Sequence, residues 1–135
     1  MSDLIKRFHD NAPRMEKQKT VDVEGIKFTI SPISYIDRMR IQSTIQRSTD
    51  GAVILRGDEV ARENLYIASN YAMEFKRVNP ETLNELGCNS VAQFVEGVLS
   101  HAGIGELCHE IDKFTSEVQD EHDAAVDDAA KTAGD

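Results

Sequence analysis

The stretch Val21-Asp22-Val23-Glu24-Gly25-Ile26-Lys27-Phe28-Thr29-Ile30-Ser31-Pro32-Ile33-Ser34 carries the strongest structural signal in this chain. Apolar and polar residues alternate on both sides of Glu24-Gly25, which is typical of two strands that each have one buried face. With Glu24-Gly25 as a two-residue loop, Val23 pairs with Ile26 and Val21 with Phe28. The apolar side chains then share one face, and we predict a β-hairpin that packs on the rest of the chain through Val21, Val23, Ile26, Phe28 and Ile30.

After Pro32, which ends the second strand, the sequence changes to helical periodicity. Ser34 is a suitable N-cap for a helix that runs to about Arg47. Two turn clusters and the short apolar segment Val53-Ile54-Leu55 follow over 48–57. Apolar residues at spacings of three and four then indicate an amphipathic helix from about 58 to 77.

Capping signals divide the next part of the chain into shorter helices. Asn79 followed by Pro80 begins one helix, and Ser90 with Gln93 forms a capping box for the next. The segment Ala102-Gly103-Ile104-Gly105 is expected to interrupt the helices, because glycine is a poor helix former. A last helix is predicted to end near Gln119.

The two ends of the chain are more polar. Leu4, Ile5 and Phe8 are at helical spacing, but Pro13 is expected to limit any helix there to a short turn. Residues 120–135 hold six acids against one cation, and we expect disorder or a frayed helix. The sequence therefore predicts a mainly α fold: one small helical domain with an N-terminal β-hairpin packed on it over 19–119, an N-terminal arm over 1–18, and a disordered acidic C-terminal tail over 120–135.

The charge of the chain limits its partners. The formal net charge is -9 over 135 residues. Residues 1–47 hold nine cations and six acids, for a net charge of +3, whereas the remainder holds six cations and eighteen acids, for a net charge of -12. This excess of acids argues against binding to nucleic acid or to an anionic membrane. Neither a signal-peptide core nor a bilayer-spanning apolar run is evident, so we expect a cytosolic protein.

The sequence does not contain the residue spacings that are typical of catalytic or metal-binding sites. His101, Cys108 and His109 lie close in the sequence, but they do not have the spacing of a zinc site. Cys88 and Cys108 are not in a CxxC pair, and we interpret both as reduced structural thiols. Glycines do not form a phosphate-binding loop, and serines do not form a nucleophile motif. We therefore expect a protein that is not an enzyme, with no catalytic, cofactor or metal site.

Two helical faces are candidates for partner binding. Arg38 and Arg40 lie on the basic helix after Ser34 and could contact an acidic partner, although a solvated face explains the same pattern. Ile67, Tyr71 and Phe75 lie on the apolar stripe of the 58–77 helix. Such a stripe usually belongs to the core, but in a chain of this size one face can serve both uses.

The stretch from Val21 to Pro32 has the form V-x-V-x-G-x-x-F-x-I-x-P and leads into a helical region. In this order it resembles the opening of tail assembly chaperones of long-tailed bacteriophages, which are also similar in length and acidity. The resemblance implies a factor in the host cell cytoplasm that binds the helical tape measure protein and keeps it soluble until tail tube protein polymerises around it. Tail tube protein is then a second partner, and a homo-oligomer is compatible with this role. The main alternative is an acidic inhibitor or nucleic-acid mimic that occupies a basic site, and a small metal-dependent enzyme is a third hypothesis.

Overall fold

A computed structural model of the chain describes residues 2–41 and 57–134, and it confirms a mainly helical fold with an N-terminal antiparallel hairpin. The expected helix end near Arg47 and the apolar segment Val53-Ile54-Leu55 lie outside the described residues. In chain order the elements are α1 (Ser2–Met15), β1 (Lys19–Val23), β2 (Ile26–Ile30), α2 (35–41 in its described part), α3 (Gly57–Tyr71), α4 (Met73–Lys76), α5 (Pro80–Glu85), α6 (Val91–Val98) and α7 (His101–Gly134).

The hairpin has the predicted register. Val23 is opposite Ile26 and Val21 is opposite Phe28. Glu24 and Gly25 both have positive φ, at 53° and 80°, as a type I′ turn requires. Four of the five apolar side chains on the predicted face are buried. The fifth, Ile26, is 39 % exposed, so the prediction that it is buried is wrong. It is the first residue after the turn and lies at the end of the hairpin.

The core lies between the hairpin, the α3–α4 segment, α6 and α7. The Phe28 ring lies 5.1 Å from the Phe75 ring, measured between centroids, and Phe75 meets Phe94 edge to face at 5.9 Å. Spacings of four, three and four along α7 place one row of its side chains in the same core cluster. The buried residues of that row are Leu107, Ile111, Phe114 and Val118.

The helix predicted over 58–77 is divided at Ala72. Ala72 has extended backbone angles, φ -102° and ψ 116°, and forms a bridge with Ile30 of β2. The Ser31 amide donates to the Tyr71 carbonyl at 3.0 Å. Backbone hydrogen bonds to the end of β2 therefore replace helical bonds here, and α4 starts afresh at Met73.

The predicted interruption at Gly103 and Gly105 is wrong, since both residues lie inside α7. The Glu24 carboxylate accepts hydrogen bonds from the Ser100 amide at 2.8 Å and from the Ser100 hydroxyl at 2.7 Å. The Ser100 hydroxyl oxygen accepts from the Gly103 amide at 3.0 Å. A Cβ atom at Gly103 would collide with the Glu24 carboxylate. Gly103 therefore allows the hairpin turn to approach the start of the helix and does not break it.

The N-terminal helix is longer than expected, and the C-terminal segment follows the helical one of the two alternatives left open for it. Residues 120–134 continue α7, and α1 is a 14-residue helix that includes Pro13 near its end. Four alanines between 124 and 130 favour the helix, because alanine has the highest helix propensity. α1 packs beside this part of α7, and the Lys17 ammonium lies 2.5 Å from the Glu121 carboxylate. The arm and the acidic segment thus support each other.

Candidate partner-binding surfaces

The apolar residues proposed for docking are used by the fold itself. Ile67, Tyr71 and Phe75 are all buried and belong to the core cluster. A partner could reach them only if the hairpin and α7 moved away. The structure thus places the three residues in the core, and their binding to a partner stays a prediction.

The two arginines proposed for partner binding contact this chain's own helices. The Arg38 guanidinium lies 3.6 Å from the Asp112 carboxylate and donates to the Ser116 hydroxyl at 3.4 Å, both on α7. The Arg40 guanidinium lies 2.9 Å from the Glu63 carboxylate. It also stacks 4.3 Å above the Tyr66 ring. Partly exposed pairs like these contribute little to stability, but they fix the direction of α2.

A polar network centred on Asp37 joins α2 to α3. The Tyr71 hydroxyl donates to the Asp37 carboxylate, and the Tyr66 hydroxyl donates to its other oxygen at 3.2 Å. The Ser34 hydroxyl caps the helix by accepting from the Asp37 amide at 3.3 Å. The hydrogen bond from Tyr71 lowers the pKa of Asp37, whereas burial raises the pKa of both tyrosines. The network therefore keeps Asp37 charged and holds α2 in place.

α1 turns its apolar side outward. Leu4 and Phe8 are each 69 % exposed, and Ile5 is 56 % exposed. The opposite, polar side faces α7 across a cavity of about 650 Å³ lined by Asp3, Lys6, Arg7, Asp10, Asn11, Ala125 and Ala129. We refer to Leu4, Ile5 and Phe8 as the α1 apolar face. Tyr35 and Ile36 of α2 are also largely exposed, so α1 and α2 both present apolar side chains to solvent.

A shallow groove of about 470 Å³ runs between α3 and α6. Leu65 and Val91 are partly buried and form its floor. Tyr66 and Ala92 extend this apolar surface, and Ser69 and Asn70 complete the wall on α3. Two cations stand at the rim, Arg62 on α3 and Lys76 on α4. We refer to these lining residues together as the α3–α6 groove.

The histidines and the buried cysteine singled out in the sequence lie on or near α7. Within 2–41 and 57–134, His, Cys, Asp and Glu side chains do not form a group of three or more that could hold a metal ion. Cys108 is buried, and its thiol donates to the Asn64 carbonyl at 3.1 Å. Burial raises the pKa of the Cys108 thiol to about 12, so it is not a reactive thiolate. His101 and His109 are exposed on α7.

Sequence reasoning did not identify the α1 apolar face or the α3–α6 groove as exposed surfaces. The spacing of Leu4, Ile5 and Phe8 marks an apolar stripe, but periodicity does not tell whether a stripe faces the core or solvent. The α3–α6 groove joins residues that are distant in sequence.

Among the described helices, α7 included, the combination of length and apolarity needed to cross a membrane is not found. Comparison of the chain with protein-family models, with curated proteins and with solved structures gave no match.

Proposed function

We propose that this protein is a phage-type tail assembly chaperone that binds helical segments of a tape measure protein in the host cell cytoplasm. The observation that carries the proposal is the α1 apolar face, three large apolar side chains held outward on a helix. The hairpin stretch from Val21 to Pro32, which resembles that family, supports it. Tail tube protein is the second partner in this proposal.

Energetics indicate how such a chaperone would act. Burying a large aliphatic or aromatic side chain contributes about 1.5–3 kcal/mol. Because the three residues of the α1 apolar face are already about one third covered, a partner helix would gain about 3–6 kcal/mol from them. Association costs at least about 4 kcal/mol in lost freedom. One copy therefore holds its partner weakly, and stable capture needs a further contact surface or several copies along one long helix.

Co-expression with a tape measure protein tests the proposal. The native chain should keep that partner soluble and co-purify with it, because the α1 apolar face covers part of the partner's apolar surface. A variant with Leu4→Ser, Ile5→Ser and Phe8→Ser should lose most of the captured partner while its unfolding midpoint stays near that of the native chain.

Leu86→Ser is the matched control, since Leu86 is 61 % exposed but lies at the end of α5. The control should capture the partner normally. Equal capture by the triple variant, or insoluble partner with the native chain, would contradict the proposal.

One observation favours the alternative function of an acidic inhibitor or nucleic-acid mimic. The helical course of 120–134 places Asp120, Glu121, Asp123, Asp127 and Asp128 at fixed spacings on a folded surface, which a mimic requires. A mimic binds its basic target mainly by electrostatic attraction, so salt should release it. The salt dependence of the captured complex therefore separates the two functions.

A further inference from the structure

The α3–α6 groove can lose water at low cost. The Ser69 hydroxyl donates to the Leu65 carbonyl at 2.6 Å, and the Asn70 amide donates to the Tyr66 carbonyl at 2.9 Å. The Tyr66 hydroxyl donates to Asp37. The Ser69 hydroxyl, one Asn70 amide N–H and the Tyr66 hydroxyl therefore keep a partner when an apolar side chain covers them, which lowers the cost of removing water from this wall. The floor at Leu65 and Val91 is apolar and partly open.

The size of the groove fits one face of a helix. Its α3 wall extends from Arg62 to Asn70, a rise of about 12 Å or about two helical turns. Apolar side chains that recur every three or four residues on a partner helix would meet the floor over that length. Lys76 of α4 lies beyond the end of α3, so the two rim cations stand on different elements of the groove.

The charge at the rim selects the kind of helix. The whole chain has a net charge of -9, yet within 2–41 and 57–134 the charged side chains that line this groove are Arg62 and Lys76. A segment with acidic residues beside its apolar stripe would meet the rim with opposite charge. A segment with basic residues there would meet it with like charge, and complementarity of this kind gives specificity more than affinity.

We propose that the α3–α6 groove binds an amphipathic helical protein segment whose apolar stripe is flanked by acidic side chains. The inference rests on the proposed function for the class of partner, a helical protein, and supplies the further contact surface that the α1 apolar face needs. The apolar stripe covers Leu65, Tyr66 and Val91, and the flanking carboxylates pair with Arg62 and Lys76.

Fluorescence anisotropy with two labelled peptides tests the groove directly. Both peptides are alanine-based helices with a leucine stripe, flanked by glutamates in one and by lysines in the other. The native chain should bind the glutamate peptide more tightly. Reversal of both rim charges, Arg62→Glu with Lys76→Glu, should weaken that peptide by roughly tenfold and remove the preference.

The control reverses two cations away from the groove, Lys113→Glu and Lys131→Glu, with the same change in net charge. It should retain the preference for the glutamate peptide. Equal binding of the two peptides by the native chain, equal weakening by the control, or tighter binding of a single-stranded oligonucleotide would overturn the groove assignment. Because the co-expression test with tape measure protein is separate, failure here with continued capture there would reject the groove alone.

Discussion

Gly103 and Gly105 both lie in the first turns of α7, but they differ in the space available for a side chain. Nothing lies within 4 Å of a Cβ atom built on Gly105, whereas one built on Gly103 meets the Glu24 carboxylate. That carboxylate caps the helix through Ser100, and its hydrogen bonds with Ser100 lower the pKa of Glu24. The contact with Glu24, and not the local backbone conformation, thus determines which of the two glycines can be replaced by alanine without displacing a neighbour.

The pair gives a matched prediction. Gly105→Ala should raise the free energy of unfolding by about 0.5–1 kcal/mol, the usual gain for alanine in a helix interior. Gly103→Ala should gain less than Gly105→Ala or nothing, because the new Cβ atom displaces the Glu24 carboxylate from its hydrogen bonds with Ser100. Urea unfolding of the two variants measures both values. Equal stabilisation by the two substitutions would show that the Glu24 contact has no energetic weight.

Phe28 is the residue whose role the hairpin pattern predicted most directly. It is 1 % exposed and contacts the Phe75 ring. Phe28→Ala should lower the free energy of unfolding by about 3–5 kcal/mol, since it removes a large core side chain. Ile26→Ala on the same strand should cost clearly less, because Ile26 is partly exposed. Thermal unfolding of both variants tests this, and an unchanged midpoint for Phe28→Ala would refute the core assignment.

Asp37 should make the fold sensitive to acid. Its pKa in the folded chain lies below the ordinary value of 3.8, chiefly because the Tyr71 hydroxyl donates to it. A lowered folded pKa contributes stability that is present above the unfolded value and is lost as pH falls through the folded value. Asp37→Asn should therefore unfold more easily near neutral pH but lose less stability between pH 5 and 2 than the native chain. Parallel curves for the two proteins across that range would exclude this role.

Among the elements, those set by local signals were predictable. The Asn79 side chain accepts from the Glu81 amide at 2.9 Å, and the Ser90 hydroxyl accepts from the Gln93 amide at 3.2 Å. The Gln93 side chain accepts from Asn89, one residue before the cap, at 2.7 Å. Caps of this kind involve residues within four positions of one another, so the sequence alone contains the information.

Elements that depend on distant partners were not predictable. The division at Ala72 requires Ile30 of β2, and the intact start of α7 requires Glu24. The orientation of α1 depends on which of its sides meets α7, and the course of 120–134 depends in turn on α1. For the same reason the sequence did not show that the candidate docking residues are buried, because Ile67 and Phe75 have the same pattern whether a partner or the rest of the chain covers them.

Deleting residues 120–135 tests how the ends depend on each other. The last apolar residue of the core is Val118, so cooperative unfolding should remain. α1 loses the surface on which it rests, and far-UV circular dichroism should lose more helical signal than the deleted residues account for. Solubility should fall, because the deletion removes six acids and one cation. Loss of cooperative unfolding would show that the segment is part of the core structure.

Along the sequence, the α1 apolar face and most of the acidic residues belong to different segments, although α1 packs beside the acidic end of α7. The α1 apolar face lies on the residues before position 48, which carry a net charge of +3, whereas the net charge of -12 lies on the rest of the chain. An apolar binding surface on a strongly charged protein can hold an aggregation-prone helix and still repel other copies of the complex. This arrangement fits a chaperone better than it fits a mimic, whose binding surface is the acidic one.

Salt dependence provides the decisive prediction at this scale. Between about 0.1 M and 1 M salt the Debye length falls from about 10 Å to about 3 Å, which weakens contacts between exposed charges. Apolar burial is not screened in this way. The complex with a helical partner should therefore persist across the series, with a modest loss that reflects the rim pairs at Arg62 and Lys76. The variant Arg62→Glu with Lys76→Glu should bind the partner more weakly than the native chain at low salt, and its affinity should not fall further as the salt concentration rises. Complete release of the partner from the native chain at low salt would favour the acidic mimic, because that outcome requires binding through charge alone.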